Sequence, residues 1–158
     1  MMTRRLFAAL FVCLAVGSVA AVAADKPDFS GNWKLNTGKS DFGPMPKPEK
    51  VEYVIAHKDP QLNVKTTAVT QMGEVSNEVN ITTDGKEFTN TLHGQEIKGT
   101  AKWEGRVLVV TQRIDMQGTE LVVVQTWTMA DDGKSITQEV SFSGPQGELK
   151  QTAVLDKV

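Results

Sequence analysis

The clearest structural pattern in the sequence is in the segment Glu96-Ile97-Lys98-Gly99-Thr100-Ala101-Lys102-Trp103. Apolar or small residues occupy every second position in it, and charged or polar residues occupy the positions between them. Successive side chains of a β-strand point to opposite faces, so this alternation predicts a half-buried strand with Ile97 and Trp103 directed inward. No stretch from Asp25 onward has the 3.6-residue period of a long helix.

Similar segments precede and follow this one, separated by turn signals such as Asp84-Gly85 and Asp132-Gly133. Glycine beside Asp or Asn supplies the positive φ that tight hairpins require. The candidate strands are Phe29–Asn36, Lys50–His57, Leu62–Thr70, Glu74–Thr82, Glu87–Leu92, Glu96–Trp103, Arg106–Ile114, Thr119–Met129, Ser135–Phe142 and Glu148–Asp156. Because most connections are too short for anything but antiparallel neighbours, we predict an all-β meander that forms a barrel or sandwich.

The chain begins with the layout of a cleavable signal peptide. Arg4 and Arg5 precede an uncharged run that ends in small residues, and we predict cleavage after Ala23 or Ala24. Residues 1–24 are then the leader, and residues 25–158 form a single domain. The alternative is that this run is retained as a membrane anchor. It is nearly long enough to span a bilayer, which takes about 18 apolar residues. Cleavage predicts a secreted or periplasmic protein with no stable membrane insertion.

The composition of the mature chain excludes several classes of protein. The single cysteine, Cys13, lies in the leader, so the domain must be held together by its core instead of disulfides. The leader carries two arginines and no acidic residue, so its removal changes the formal net charge from −2 to −4. Charges are scattered without a basic stripe, and nucleic acid is not an expected partner. The oligomeric state stays open.

Residues suited to catalysis or metal binding are sparse in the mature chain. It contains two histidines, His57 and His93, and no nucleophile, zinc or phosphate-binding fingerprint. An isolated histidine lacks the oriented partner that catalysis needs. Asp131-Asp132-Gly133 is typical of a hairpin turn and lacks the further oxygen ligands of a calcium loop. We predict a non-enzymatic protein without catalytic residues, metal or cofactor.

The segment Thr37–Pro48 is the exception to the short connections. It holds three prolines within five residues, Pro44, Pro46 and Pro48. Such a sequence forms neither a helix nor a central strand. We therefore predict an extended, stiff loop that lies across or beside one open end of a barrel.

Phe29-Ser30-Gly31-Asn32-Trp33-Lys34-Leu35 resembles the G-x-W opening of lipocalins and, more closely, the first strand of intracellular fatty-acid-binding proteins. The segments Leu92–Thr100 and Thr152–Val158 are similar to the closing strands of that family. The resemblance implies an up-and-down, lipocalin-like (calycin) barrel of about eight to ten strands around a cavity for a lipid or other apolar small molecule. It also implies that Gly31 and Trp33 are structural residues at the closed base. The opening also resembles uncharacterised secreted bacterial proteins.

Two features depart from the pattern of fatty-acid-binding proteins. That family carries a helical pair between its first two strands, where this chain has Thr37–Pro48. It also holds the ligand carboxylate with an arginine and a tyrosine in the last strand, and the matching positions here are Ala153 and Leu155. Arg113 shares the parity of Val109, so it either points into a cavity near the rim or is an exposed charge at a strand end.

Amide side chains interrupt the predicted inward faces of three consecutive strands at Gln125, Gln138 and Gln151, and a weak internal repeat makes Asn90 equivalent to Gln138. A buried amide without a partner costs a few kcal/mol. These amides therefore bond one another across the barrel or face a ligand, unless a one-residue error in register places them outside. The candidate ligand-binding residues are Tyr53, Asn90, Arg113, Gln125, Trp127, Gln138 and Gln151.

We expect a secreted, non-enzymatic protein that binds an apolar or amphipathic small molecule inside the barrel. The alternative is a β-domain with a filled core that binds a protein or an envelope polymer through its surface or through Thr37–Pro48. That alternative predicts that Phe42 and Met45 form one exposed patch. An interior filled by large side chains, with no cavity, would exclude the first hypothesis.

Overall fold

A computed structural model describes residues 25–158, and the predicted leader at residues 1–24 lies outside this part of the chain. The described residues form ten strands: β1 (Gly31–Leu35), β2 (Lys50–Lys58), β3 (Gln61–Thr70), β4 (Gly73–Thr82), β5 (Asp84–Leu92), β6 (Gln95–Glu104), β7 (Val107–Met116), β8 (Thr119–Met129), β9 (Ser135–Gly144) and β10 (Gly147–Lys157). Across residues 25–158, no helix is long and apolar enough to cross a membrane. The predicted all-β meander is confirmed.

The strands form one antiparallel sheet in the order β4-β3-β2-β1-β10-β9-β8-β7-β6-β5. The short strand β1 lies between β2 and β10, and Trp33 is paired with Tyr53 on one side and with Lys157 on the other. The first and last strands are therefore neighbours, as an up-and-down barrel requires. The predicted first strand extended from Phe29 to Asn36, but Phe29 leaves the sheet and is buried below it.

The edge strands of the sheet, β4 and β5, face each other across the remaining gap of the nearly closed barrel. The side chain of Asn90 bridges this gap. Its Oδ1 accepts the backbone N–H of Asn80 at 2.8 Å, and its Nδ2 donates to the backbone carbonyl of Asn80 at 2.9 Å. A side-chain amide thus takes the place of one residue of a backbone ladder.

The predicted inward faces of β2, β6, β8, β9 and β10 point into the barrel. Ala101 is fully buried, as are Ile136 and Leu155 on neighbouring strands. These side chains join the core cluster around Phe29 and Trp33. Alternation between apolar and polar residues was a reliable guide on these strands because one face of each meets water.

The proline-containing segment Thr37–Pro48 runs beside the first half of β10. Asp41 and Thr152 exchange two backbone hydrogen bonds of 2.8 Å, which extend the edge of β10 into the loop. Phe42 packs against the core, whereas the side chain of Met45 is 47% exposed. The patch expected from Phe42 and Met45 together does not form, because Phe42 turns toward the barrel.

Replacing Asn90 tests whether its side chain closes the barrel. In Asn90→Leu, the N–H and carbonyl of Asn80 lose their partner, so we expect the free energy of unfolding to fall by about 1–3 kcal/mol. Urea denaturation measures the change. Thr89→Leu, on the exposed outer face of the same strand, is the matched control with little change. Equal stability of the two variants would contradict this role of Asn90.

Candidate functional site

A cavity of about 320 Å³ lies in the half of the barrel that is bordered by the β3–β4, β5–β6, β7–β8 and β9–β10 turns. The strand registers bring Tyr53 opposite Thr66, and Thr66 opposite Asn77, on one wall. The other wall comes from β7 to β10. The lining residues are Tyr53, Val64, Thr66, Asn77, Val79, Ile81, Leu92, Gln112, Gln125, Trp127, Gln138, Val140, Phe142 and Gln151. The large side chains therefore leave space inside the barrel.

Aromatic side chains fill the opposite end of the barrel and form the floor below the cavity. Phe29 is stacked on Trp103 with ring centroids 5.7 Å apart, and it meets Trp127 edge to face at 5.6 Å. The indole Nε1 of Trp33 donates to the carbonyl of Phe29 at 2.9 Å. Such ring geometry adds to the stability from area burial. The segment that precedes β1 thus closes this end.

Gly31 and Trp33, the two residues expected at the base, lie at this closed end. Trp33 is 1% exposed, and the ammonium of Lys157 lies 5.2 Å from the centroid of its ring. Gly31 has a φ of 137°, and a Cβ added there would lie 3.0 Å from Cε of Lys157. Glycine fits this position because other residues rarely adopt such a φ.

His57 is buried against Phe29 and Trp103 at the closed end. The backbone N–H of Phe29 donates to its Nδ1 at 3.2 Å, so the ring is neutral, with its proton on Nε2. That Nε2 is buried without a hydrogen-bond partner in the described chain, 3.9 Å from Oδ1 of Asp59. Burial lowers the pKa of His57, and the charges of Asp28 and Asp59 only partly oppose this effect.

Asp59 organises the surroundings of His57. It accepts hydrogen bonds from Thr83 Oγ1 at 2.6 Å, from Trp103 Nε1 at 2.9 Å and from Lys26 Nζ at 2.9 Å. Burial raises the pKa of its carboxyl, but these bonds outweigh that effect and hold it at about 2. The carboxylate therefore ties the start of the domain to the β2–β3 and β4–β5 turns.

The lowered pKa of His57 predicts a loss of stability in mild acid. The unfolded histidine binds a proton more tightly than the folded one, so its contribution to the free energy of unfolding is complete above about pH 6.5. That contribution decreases as the pH falls from there toward the folded pKa. Urea denaturation between pH 7 and pH 5 measures this effect while most carboxylates remain ionised.

The matched variants for this experiment are His57→Gln and His93→Asn. His57→Gln removes the titrating group, so the fall in stability between pH 7 and pH 5 becomes smaller. His93→Asn changes an exposed turn residue with a φ of 50° to another residue that tolerates positive φ, so it leaves the pH dependence unchanged. The same slope in His57→Gln and the wild-type protein would show that His57 does not cause the pH dependence.

Five of the predicted ligand-binding residues line the cavity, at positions Tyr53, Gln125, Trp127, Gln138 and Gln151. The two others do not. Asn90 directs both ends of its amide to the backbone of β4, because β5 meets β4 there without ladder pairing.

Arg113 lies exposed on the outer surface, which is the second of the two placements that its parity left open, and its inclusion among the ligand-binding residues is wrong. The inward residues of β7 are Leu108, Val110 and Gln112. Both faces of β7 begin with apolar side chains, since Val107 and Val109 alternate with Leu108 and Val110. Hydrophobic alternation therefore could not distinguish the two faces.

Gln112 is the cavity residue that this error concealed. Together with Gln125, Gln138 and Gln151 it forms a set that we call the glutamine ladder, one residue on each of β7, β8, β9 and β10. The four residues are spaced by 13 positions in the sequence, and that regular spacing was a signal that could have found Gln112. Thr66 and Asn77, on the opposite wall, carried no comparable signal.

Three members of the glutamine ladder are engaged with protein groups. Gln125 Nε2 donates to Gln112 Oε1 at 3.4 Å, and Gln125 Oε1 accepts the indole N–H of Trp127 at 3.1 Å. Gln151 Nε2 donates to the carbonyl of Phe42 at 3.2 Å and lies 2.8 Å from Sδ of Met45. Gln138 is 6% exposed, and no hydrogen bond links its side chain to another group of residues 25–158. Its amide is free to bond a guest.

The lining of the cavity is polar in part but uncharged. None of the described residues that line it is Asp, Glu, Lys, Arg or His. Burial raises the pKa of Tyr53 to about 12, so its hydroxyl keeps its proton at neutral pH. In residues 25–158, no group of three or more His, Cys, Asp or Glu side chains could hold a metal ion. The site can offer apolar contact and neutral hydrogen bonds.

The topology and the central cavity define a calycin, or lipocalin-like, β-barrel. The secretory abundant heat soluble protein from Ramazzottius varieornatus is similar in structure, with a TM-score of 0.63 and 13% identity over 82% of this chain and 94% of that one. Zebrafish ileal bile acid-binding protein, solved with cholic acid, has a TM-score of 0.53 and 19% identity over 82% and 98% of the two chains. Human cRBP IV has a TM-score of 0.51 and 17% identity over 84% and 99%.

These similarities establish the fold, and the resemblance to this group of barrels that the sequence indicated is confirmed. No protein-family profile matches the sequence. A search of curated protein sequences finds no significant match.

Proposed function

We propose that the mature protein is a secreted or periplasmic, non-enzymatic binding protein that holds an apolar or amphipathic small molecule in the barrel. The observation that carries this proposal is the cavity of about 320 Å³, walled by apolar side chains and by neutral amides and hydroxyls. Ligand sites are concave and mostly apolar, with a few polar groups that set the orientation of the ligand, and their volumes begin near 300 Å³. The cavity meets this description.

The similar structures support the proposal. The zebrafish ileal bile acid-binding protein is similar in fold and was solved in complex with cholic acid, which has both an apolar body and polar groups. A barrel of this kind can therefore enclose an amphipathic guest. The polar groups that the described residues contribute to the cavity walls of this chain are uncharged.

The leader supports a location outside the cytosol. Arg4 and Arg5 precede an uncharged run that ends at Ala23 and Ala24, which is the pattern of an exported protein. Cleavage at either position leaves Lys26 in place to pair with Asp59 at 2.9 Å. Removal of the leader therefore leaves intact the contact between Lys26 and Asp59 at the closed end of the barrel.

Native mass spectrometry of the protein purified from its source tests the function directly. We expect a population whose mass exceeds that of the polypeptide by one small molecule, and denaturation should release it. The mass of the polypeptide itself will show whether cleavage follows Ala23 or Ala24. A bare polypeptide in every preparation would contradict the binding function and favour a protein or envelope partner.

A cavity-filling variant connects the retained molecule with the cavity. Val140 points into the cavity from β9, so Val140→Phe places a larger side chain there and should remove most of the added mass. Ser143→Phe adds the same side chain on the exposed outer face of β9 and should retain it. If both variants keep the molecule equally, it is bound elsewhere.

A further inference from the structure

We propose that Gln138 recognises an uncharged group in which a hydrogen-bond donor and an acceptor are adjacent, as in a primary amide or a lactam ring. This inference rests on the proposed function and names the chemical class of its ligand. A side-chain amide presents one acceptor and one donor on the same edge, so the complementary group is a second amide edge. The remainder of the ligand lies against the apolar lining.

The unequal state of the glutamine ladder singles out Gln138. Gln125 has both ends of its amide engaged, and Nε2 of Gln151 is held by the loop residue Phe42. More than nine-tenths of the surface of Gln138 is buried, and its side chain lines the cavity. It has no hydrogen bond to any other group of residues 25–158. The only enclosed side-chain nitrogen or oxygen without a partner in residues 25–158 is Nε2 of His57, so the unbonded amide of Gln138 faces the open space of the cavity. A complementary ligand in the cavity can bond both its acceptor and its donor.

The neighbours of Gln138 across the sheet do not compete for its amide. They are Trp127 on β8 and Ala153 on β10. The indole N–H of Trp127 is already donated to Gln125, and Ala153 has no polar side-chain atom. Its two directly paired neighbours therefore offer apolar surface, where the flat body of a ligand can lie while its polar edge meets the amide.

Charge selects against anionic ligands in this cavity. Among residues 25–158, the lining includes no arginine, lysine or histidine, and Arg113 lies outside the barrel. A carboxylate that entered would lose its hydration without meeting an opposite charge. The hydroxyl of Tyr53 can donate one hydrogen bond, which does not replace a cation. The site therefore favours neutral guests over anions of the same shape.

Three probes of similar size test this preference: 2-quinolinone has a lactam edge, naphthalene has no polar edge, and 2-naphthoate is an anion at pH 7.5. Each is titrated into the mature protein, freed of any retained molecule, and binding is followed by NMR with ¹⁵N-labelled protein. We expect 2-quinolinone to bind at least about tenfold more tightly than either other probe. The Nε2–H resonances of Gln138 should shift with 2-quinolinone and not with naphthalene.

The variant Gln138→Leu separates recognition from folding. It should weaken binding of 2-quinolinone by about tenfold or more and leave naphthalene binding unchanged or tighter, because the removed amide served the polar edge. Retained naphthalene binding shows that the cavity is intact in the variant. A parallel loss of both probes would overturn the inference.

Other results also overturn this inference. One is equal binding of 2-quinolinone and naphthalene by the wild-type protein; another is equal or tighter binding of 2-naphthoate. Either would leave the binding function supported, since a small molecule would still occupy the cavity. Failure of all three probes to bind would overturn the inference as well. The binding function would then be judged separately, by whether native mass spectrometry shows a small molecule retained by the purified protein.

Discussion

The barrel depends on the pairing of one five-residue strand with two partners. The strand β1 bonds to β2 on one edge and to β10 on the other, so it joins the two ends of the meander. The residues just before it place Phe29 beneath the cavity, where Trp33 and Trp103 pack around it. Loss of this strand would open the sheet and would also remove the aromatic floor below the cavity. The pairing of β1 with its two neighbours therefore closes both the sheet and the end of the barrel.

The barrel interior combines apolar side chains with neutral polar side chains. Apolar side chains such as Val140 and Phe142 share the cavity with four glutamines and a neutral tyrosine. Buried amides are costly unless they are bonded, and three of the four ladder members bond each other, Trp127 or the loop residue Phe42. The polar interior thus stabilises itself incompletely. Within the ladder, Gln138 is the member whose whole amide is left for a ligand.

Much of this fold was predictable because one face of most strands meets water. Alternation placed Gln125, Gln138 and Gln151 inside, and short turns indicated antiparallel neighbours. It failed on β7, whose two faces are both apolar at the start, so the direction of Arg113 stayed open and Gln112 was overlooked. The role of Asn90 depends on the gap between β4 and β5, which is a property of the closed barrel and leaves no trace in local sequence.

The position of β1 also bears on the order in which the protein can fold. Trp33 and Lys157 are paired but lie 124 residues apart in the chain. Contacts of such long range are formed slowly, since the intervening chain must first be confined. A chain made from its amino terminus completes nine strands before β1 has its second partner. Until that moment it carries Phe29 and Trp33 without their final burial, so the nascent domain exposes these two large aromatic side chains until its last strand has been made.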